Sequence, residues 1–500
     1  MIKAALRTNV IMAFLTALGL ISSLLLQMTI AHFFGAGWQT DAYLVAYTIP
    51  ILVTTLFGEP LGLAMLPMMN RVKAARDNEF VRRFVMGIFV SLVLVLMAVM
   101  TLLLVGSRWL VRASAPGFSA EQTALSVWMF RVFMLAAGFS ILATFLQYLY
   151  YFENSVVWAY FPTFVPTWTI IGCILLFADV VGIKIIALGA LVGSGLQCAA
   201  LGPVLLRYLG VTPTFTRDIL RTYKNAILIA FSMVPMWAIP FVDRYLASGM
   251  PEGSISYLGY SWTLAVAVAS LLSRGTLVTF FPELSEQALT SLHGFQKLAQ
   301  RLTEFFLFLT ISAVVVGEFF IYPAVQVLLM RGRFTVQDVG NVTALLQWHL
   351  ISVVGIVLIN IANRVSYARR FANLSAFMSF FHIMFYITAA VVLMRSFALI
   401  GIAVANATSW SLTAVLFIIL LARRNAFEDV RRLIRLALTS ILAGACLSLT
   451  LSLGVSFIRD SGVLLLLGAA GGATGYLLLS VRFLAQMGVR KATPQPGLKG

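Results

Sequence analysis

The sequence predicts an all-α polytopic membrane protein with about fourteen transmembrane helices, arranged as two six-helix lobes and two further C-terminal helices. Of its 500 residues, 61% are hydrophobic and 11% are charged, whereas a soluble domain carries about 25% charged residues. The mean hydropathy is +0.96. A spanning helix needs roughly 20 apolar residues, and about fourteen such segments follow one another along the chain. Lipid is therefore the expected solvent for most of the surface.

The second half of the chain repeats patterns of the first half about 216 residues later. Asn9-Val-Ile-Met-Ala-Phe returns as Asn225-Ala-Ile-Leu-Ile-Ala-Phe. Pro116-Gly-Phe-Ser-Ala-Glu returns as Gly332-Arg-Phe-Thr-Val-Gln-Asp. Each copy holds an even number of helices, so the second begins on the same side of the membrane as the first. This predicts a parallel repeat, with a pseudo-two-fold axis along the membrane normal.

The repeat also predicts where the chain divides. The predicted parts are an N-terminal lobe at 1–208, a cytoplasmic linker at 209–224, a C-terminal lobe at 225–422, two C-terminal helices within 423–486 and a cytoplasmic tail at 487–500. The last two helices have no counterpart in the repeat and form either a structural annex or an extra lipid-facing groove. The first apolar run, at 9–34, is longer than a signal-peptide core and is expected to stay in the mature protein.

The net charge of +17 is distributed unevenly between the two sets of loops. With the N-terminus inside, the cytoplasmic loops and tail carry 25 of the 35 basic residues, and the opposite loops carry seven. This asymmetry follows the positive-inside rule and predicts that both termini face the cytoplasm. We expect a multi-pass protein of the bacterial inner membrane whose basic loops contact anionic lipids, not nucleic acid.

No group of residues resembles a catalytic or metal centre. The four histidines lie on different segments, no glycine-rich phosphate loop is present, and the three cysteines lie inside apolar runs. Isolated cysteines of this kind are small core residues. The sequence therefore predicts no enzyme activity, no metal and no cofactor.

Acidic residues in the second helix are candidates for substrate binding or gating. Asp41 and Glu59 are 18 positions apart, which is five helical turns, so they share one face. Pro50 and Pro60 interrupt the helix between and beside them. Ionisable groups at membrane depth are costly unless they face water or a partner. The pair either faces a central cavity or forms a buried polar contact within the lobe.

Four further ionisable residues interrupt apolar runs. Arg131 lies in the fourth segment, and Asp243 with Arg244 ends the seventh, where an interfacial anchor is the alternative to a binding element. Arg274 is the one charge between 257 and 281. It either pairs with a phosphate, for which the guanidinium fork is suited, or extends to the inner interface.

Several short blocks, in this order, resemble the MviN/MurJ-type lipid II flippases. They begin with Phe34-Gly-Ala-Gly and Thr40-Asp-Ala-Tyr-Leu-Val-Ala-Tyr and continue at 49–50, 56–59, 115–118, 246–248, 253–258, 281–285, 331–335 and 367–369. The resemblance implies the multidrug/oligosaccharidyl-lipid/polysaccharide exporter fold, with a central V-shaped cavity. It also implies alternating access that moves undecaprenyl-pyrophosphate-linked sugars from the cytoplasmic to the outer leaflet.

The chain departs from this family in its cavity charges. The family typically places arginines on helices one, two and eight to hold the pyrophosphate. Here residues 11–31 contain no ionisable group, Thr54-Thr55 stand where basic residues are expected, and Ser261-Trp-Thr replaces an acidic-arginine pair. Arg274 follows three turns after Thr263 on nearly the same face and is a displaced anion contact by hypothesis.

Three functional hypotheses follow. The first is a flippase for a polyprenyl-pyrophosphate-linked saccharide, either lipid II or, because of the missing arginines, an exopolysaccharide repeat unit. The second is a drug/cation antiporter of the same fold. The third is a non-transporting component of a polymer-assembly machine. Partner proteins of the first and third would belong to cell-wall or polysaccharide synthesis.

Overall fold

The structure is a computed structural model that describes the backbone of residues 2–429 and 431–441; side chains at 2–17, 156, 232–236, 274–282 and 372 are outside the description. Its α-helices are α1 (Ile2–Phe34), α2 (Trp38–Ala75), α3 (Asn78–Val105), α4 (Ser107–Ser114), α5 (Ala120–Phe152), α6 (Val156–Tyr160), α7 (Val165–Val181), α8 (Lys184–Leu201), α9 (Arg217–Ala247), α10 (Ser254–Thr290), α11 (Leu292–Leu329), α12 (Val336–Ala368) and α13 (Ala372–Arg423). Short 3₁₀ helices cover Phe161–Phe164 and Gly202–Tyr208.

The helices confirm the predicted all-α membrane fold. Within the described part of the chain, nine helices are long and apolar enough to cross a membrane. The count of fourteen stays a prediction. Residues 431–441 are helical, while the rest of the two predicted C-terminal helices, and the tail at 487–500, lie outside the described residues.

The first of two compact units comprises Met1–Leu264, Leu328–Leu345 and Ser379–Ala405. Its centre is the packing of α2 on α5. Ala42 and Ala46 of α2 and Phe130 of α5 are fully buried, and Ser126 Oγ donates a hydrogen bond to the Ala42 carbonyl at 3.1 Å. Small residues on α2 let the two helices approach closely, as is common between membrane helices.

The second compact unit comprises Ala265–Val327, Leu346–Met378 and Asn406–Gly500. Gly355 of α12 lies against the backbone of Trp410, where a Cβ would come within 2.5 Å of the carbonyl carbon. On α11, buried Glu304 pairs with Arg432 at 2.9 Å. Gln300 donates to Glu304 at 2.8 Å and to the Asp429 carbonyl at 3.0 Å. The bonds to Asp429 and Arg432 connect the segment that follows α13 to α11.

Two tight turns recur at the spacing of the sequence repeat. Gly182, with φ 66°, ends α7. Ala398, with φ 47° and ψ −130°, breaks α13 into two helices. The two turns lie about 216 residues apart. Each break is short and separates two helical segments.

The loops before α5 and α12 also match, as the sequence predicted. Ser119 caps α5 in a reciprocal capping box with Gln122. At α12, Thr335 N and Oγ1 donate to Asp338 Oδ2 at 2.7 and 2.8 Å, and Asp338 N donates back to Thr335 Oγ1 at 3.2 Å. Such boxes satisfy amide groups that the first turn leaves free. Both loops begin a helix in the same way.

Candidate functional site

Asp41, in the first turn of α2, caps the N-terminus of α10. Its carboxylate is 3% exposed. One oxygen accepts from Gly253 N at 2.7 Å, and the other accepts from Ser256 N at 2.7 Å and Ser256 Oγ at 2.5 Å. The helix N-terminus attracts negative charge and presents free N–H donors. Asp41 therefore joins the first half of the chain to the second.

Three further hydrogen bonds join neighbouring helix ends and loops. Arg333 N donates to the His32 carbonyl at 2.9 Å. Tyr260 Oη donates to the Gly35 carbonyl at 3.1 Å, and Gly117 N donates to Ser248 Oγ at 3.2 Å. We call these bonds, together with those of Asp41, the Asp41 junction.

The junction depends on glycine at one backbone contact. Gly332 has φ 60°, and a Cβ there would lie 2.2 Å from the His32 carbonyl oxygen. A side chain would be strained by the dihedral angle and would also push the two segments apart. The close approach therefore requires glycine.

A cavity of about 140 Å³ lies among α1, α2, α9 and α10. Apolar side chains form much of the wall. Its polar lining comprises Gln27, Thr40, Tyr43, Tyr47, Asp243, Arg244, Tyr260, Trp262 and Thr263. Thr40 is adjacent to Asp41 in the chain, so the cavity begins next to the junction.

Asp243 and Arg244 supply the charges of this cavity. Asp243 accepts a hydrogen bond from Tyr386, which is fully buried. Arg244 donates from Nη1 to the Pro240 carbonyl at 2.9 Å, and Tyr43 and Tyr47 lie close enough to interact electrostatically with it. Arg244 Nε is buried with no acceptor among the described residues. The guanidinium thus retains donors for an anionic ligand.

A second cavity of about 300 Å³ lies within the first half of the chain. Gln27, Tyr43 and Tyr47 line both cavities. The rest of the second lining includes Ser23, Thr54, Ser140, Thr167 and Ser194. These hydroxyl groups can hydrogen-bond a polar ligand but carry no charge.

The structure separates the two acidic residues that share a face of α2. Asp41 is buried in the junction, whereas Glu59 is exposed. Tyr148 lies close enough to Glu59 to interact with it electrostatically. At 1.5 Å per residue the positions of Asp41 and Glu59 lie about 27 Å apart along the helix. They make no contact with each other in the described structure.

The remaining predicted site residues lie in different places. Arg131 is exposed and donates from Nε to Ser107 Oγ at 3.0 Å, linking α5 to α4 away from both cavities. Asp243 and Arg244 are half-buried and line the cavity. Arg274 belongs to α10, but its side chain lies outside the described residues.

Sequence reasoning missed the tyrosines of the cavity. Tyr43 and Tyr47 are one helical turn apart, and their rings stack at a centroid distance of 6.1 Å. The i, i+4 spacing was visible in the sequence and indicates one shared face. Tyr386, more than 140 residues from Asp243 along the chain, gave no such signal.

Comparison with known proteins identifies the family. Residues 30–467 match the family model described as "Lipid II flippase MurJ". The chain belongs to this family. The match spans most of the chain and includes every residue of the Asp41 junction and its adjoining cavity except Gln27.

Two curated members of the MurJ family illustrate the distance between relatives. The probable lipid II flippase MurJ of Bdellovibrio bacteriovorus is 27% identical over 460 residues, covering 88% of this chain and 87% of that protein. The lipid II flippase MurJ of Burkholderia cenocepacia is 24% identical over 370 residues, covering 71% of this chain and 72% of its own length.

Solved structures support the MurJ fold. A lipid II flippase MurJ in an inward closed conformation matches with a TM-score of 0.81 and 19% identity, covering 96% of this chain and 99% of that one. An inward-facing multidrug resistance MATE family transporter of the MOP superfamily matches with a TM-score of 0.57 and 14% identity, covering 81% and 98%. Family and fold together indicate a multi-pass inner-membrane protein of a flippase family.

Proposed function

We propose that this protein is an alternating-access flippase that moves an undecaprenyl-pyrophosphate-linked saccharide from the cytoplasmic to the outer leaflet. The observation that carries the proposal is a partly polar cavity that contains Arg244 and lies next to the Asp41 junction. Membership of the lipid II flippase MurJ family supports lipid II as the first substrate to test. We propose transport without an enzymatic step.

The orientation of the proposed mechanism comes from the loop charges. The Asp41 junction lies at the helix ends whose loops are poor in lysine and arginine. By the positive-inside rule these ends face outward, and both termini face the cytoplasm. The junction is then an outer gate that is closed in this structure. The predicted lobes at 1–208 and 225–422 would rock apart to open it.

The energetics of the junction suit a gate that opens and closes repeatedly. A typical intramolecular hydrogen bond contributes about 0.5–1.5 kcal/mol net. A handful of such bonds across the loops therefore holds the end closed by only a few kcal/mol. Shifting a conformational equilibrium from 1:99 to 99:1 takes about 5.5 kcal/mol of differential binding. We call the cavity of about 140 Å³ next to the junction the gate-side cavity. A charged lipid headgroup that binds there can supply binding energy of that order.

Within the cavity, we propose that Arg244 contacts the pyrophosphate and that the tyrosines and Trp262 contact the saccharide. A planar guanidinium can donate two parallel hydrogen bonds to phosphate oxygens. Asp243, the preceding residue, reduces the net positive charge around the arginine. We propose Asp41 as the gating residue and Glu59, exposed on the same helix, as a contact on the cytoplasmic side of the pathway.

The second candidate cargo is an exopolysaccharide repeat unit on the same lipid carrier. Among the described lining residues of the gate-side cavity, Arg244 is the one cation, whereas Thr54 in the second cavity is neutral where the family has basic residues. A cavity with fewer cations binds a pyrophosphate with lower affinity, because each hydrogen bond to a charged group contributes about 1.5–3 kcal/mol. Discrimination would then depend more on the sugar.

Reconstitution tests the proposal and ranks the cargoes. Purified protein in liposomes is given fluorescent lipid II or the same lipid carrier bearing an unrelated oligosaccharide, and the fraction reaching the opposite leaflet is measured by quenching. We expect protein-dependent movement of at least one lipid-linked saccharide. Movement of neither, combined with exchange of organic cations for protons, would instead establish the antiporter. No transport of any of these would support the assembly component.

A further inference from the structure

The largest of the three cavities described lies apart from the proposed transport pathway. It has a volume of about 450 Å³, within the range of about 300–1,000 Å³ that small-molecule sites occupy. It lies between the N-terminal ends of α2, α5 and α8, at the same end of the helices as the Asp41 junction. Its lining includes Trp38, Gln39, Glu121, Trp128, Gly182 and Lys184.

The charges in this cavity are opposite in sign and do not neutralise each other. Glu121 is in the first turn of α5, and Lys184 begins α8. Lys184 Nζ lies 5.3 Å from the centroid of the Trp128 ring. Neither Glu121 nor Lys184 forms an ion pair within 4.0 Å with any residue that the structure describes. One carboxylate and one ammonium therefore both face the open cavity.

The surroundings of the cavity place it at the edge of the apolar part of the membrane. Tryptophan collects at the membrane–water interface, and two tryptophans line the cavity. The face of α7 that leads up to it is apolar and outward-facing, with Leu176 74% and Val180 83% exposed. An acyl chain can lie along that face while its headgroup enters the cavity.

We propose that this cavity binds the headgroup of a zwitterionic phospholipid carrying a primary amine, such as phosphatidylethanolamine. The carboxylate of Glu121 accepts hydrogen bonds from the lipid ammonium, and the Lys184 ammonium contacts the phosphate. A singly anionic headgroup would satisfy Lys184 and leave Glu121 facing a like charge. A choline headgroup has no N–H donor for Glu121. The site is independent of the transported cargo; only its assignment to the outer leaflet rests on the proposed orientation.

Native mass spectrometry of the full chain tests this site. The protein is released from detergent with equal amounts of phosphatidylethanolamine, phosphatidylcholine and phosphatidylglycerol, and retained lipids are counted. We expect preferential retention of one phosphatidylethanolamine. Glu121→Gln should reduce that retention about tenfold and raise the share of phosphatidylglycerol, because a charge-assisted hydrogen bond is lost and the cavity becomes cationic.

A matched control carries the same charge change at the same end of the molecule but outside the cavity lining. Asp179→Asn removes one negative charge from an exposed residue, as Glu121→Gln does, and should leave the lipid preference unchanged. The double reversal Glu121→Lys with Lys184→Glu keeps one charge of each sign and should retain most of the preference. Equal retention of the three lipids by the unaltered protein would overturn the proposal. So would an unchanged preference in Glu121→Gln, which would mean that the two charges are only hydrated.

Discussion

Asp41 shows how one carboxylate can hold two distant parts of a membrane protein together. Its carboxylate accepts hydrogen bonds from three buried donors at the start of α10, which are Gly253 N, Ser256 N and Ser256 Oγ. These bonds are lost when the carboxylate is removed. A buried donor left unpaired costs about 1–3 kcal/mol. In water the same donors would be hydrated, so removing the carboxylate favours opening of the junction more than unfolding of the chain.

Asp41→Ala is therefore expected to open the junction. In a background without the native cysteines, Ala247→Cys, at a position that is 2% exposed, should react with a membrane-impermeant maleimide at least about tenfold faster when Asp41 is also replaced. Asp77→Ala is the matched control, because Asp77 caps α3 at an exposed position through Phe80 N. Equal labelling rates in the Asp41 and Asp77 variants would contradict the assigned gating role.

Arg244 is expected to matter for cargo and not only for folding. Arg244→Ala should weaken binding of a lipid-linked pyrophosphate about tenfold or more, because a charge-assisted contact is lost. Arg244→Lys should recover part of that loss. Arg131→Ala is the control: it removes an arginine whose hydrogen bond goes to Ser107, away from the cavity. Binding is measured by fluorescence titration with a labelled lipid.

The loss of Arg244 also removes the positive charge next to Asp243, which then keeps the hydrogen bond from Tyr386. An acidic group at membrane depth is costly without a positive charge nearby, so the single variant should melt at a lower temperature. Adding Asp243→Asn should restore the melting temperature without restoring binding. Recovery of binding in that double variant would show that Arg244 acts through folding alone.

At the residue scale, sequence reasoning located charges better than it located their partners. Asp41 and Arg244 were singled out because ionisable groups in apolar runs are costly. The helical period placed Asp41 and Glu59 on one face but gave no information about Ser256, over 200 residues away. The contact of Tyr386 with Asp243 could not be predicted either, because the two residues are far apart in the sequence. Partners across a membrane bundle depend on tertiary packing.

At the scale of elements, the break in α13 is a point of local strain. Ala398 adopts φ 47°, ψ −130°, a conformation that glycine adopts readily and other residues do not. Ala398→Gly should raise the stability by about 1 kcal/mol, measured as an increased midpoint of thermal unfolding in detergent. In the same helix, Ala389→Gly should lower it by about 1 kcal/mol, as glycine does inside a helix. Equal effects of the two substitutions would show that the break at Ala398 is unstrained.

The contact between Gly332 and His32 gives a second test of the junction. Gly332→Ala should loosen it, since the added Cβ meets the His32 carbonyl and the dihedral angle is unfavourable. We expect faster maleimide labelling of Ala247→Cys, as with Asp41→Ala. Gly340→Ala, in α12 where a Cβ meets nothing within 4 Å, should leave labelling unchanged. Slow labelling in both the Gly332 and the Gly340 variants would show that the contact between Gly332 and His32 does not keep the junction closed.

Elements were predicted well because their signals are local. Apolar length predicted the spans, and the repeated block at 116–121 and 332–338 marked two equivalent loops, each of which begins a helix with a capping box. The sequence did not reveal that the loops after α1, α9 and α11 interlock. That contact depends on backbone approach at Gly35 and Gly332, which no side-chain pattern encodes.

At the scale of the whole molecule, the compact units do not run contiguously along the chain. The first unit includes Leu328–Leu345 and Ser379–Ala405 as well as the N-terminal part. The Asp41 junction accounts for part of this, because it joins α2 to α10 and the loop before α12 to α1. The lobes at 1–208 and 225–422 remain a prediction about how the protein moves. Opening the junction is the motion that the account requires.

A reversible cross-link across the junction tests that requirement most directly. His32 and Arg333 are joined by a backbone hydrogen bond of 2.9 Å, so the pair His32→Cys with Arg333→Cys should form a disulfide in protein lacking its native cysteines. Gly58→Cys with Thr144→Cys is the control pair, at a contact within the first half where a Cβ on Gly58 would lie 3.5 Å from the Cβ of Thr144, within disulfide reach. Transfer of fluorescent lipid II between leaflets is measured before and after oxidation. Oxidation should stop transfer by the junction pair alone, and reduction should restore it. Unchanged transfer by the oxidised junction pair would show that transport does not require the junction to open.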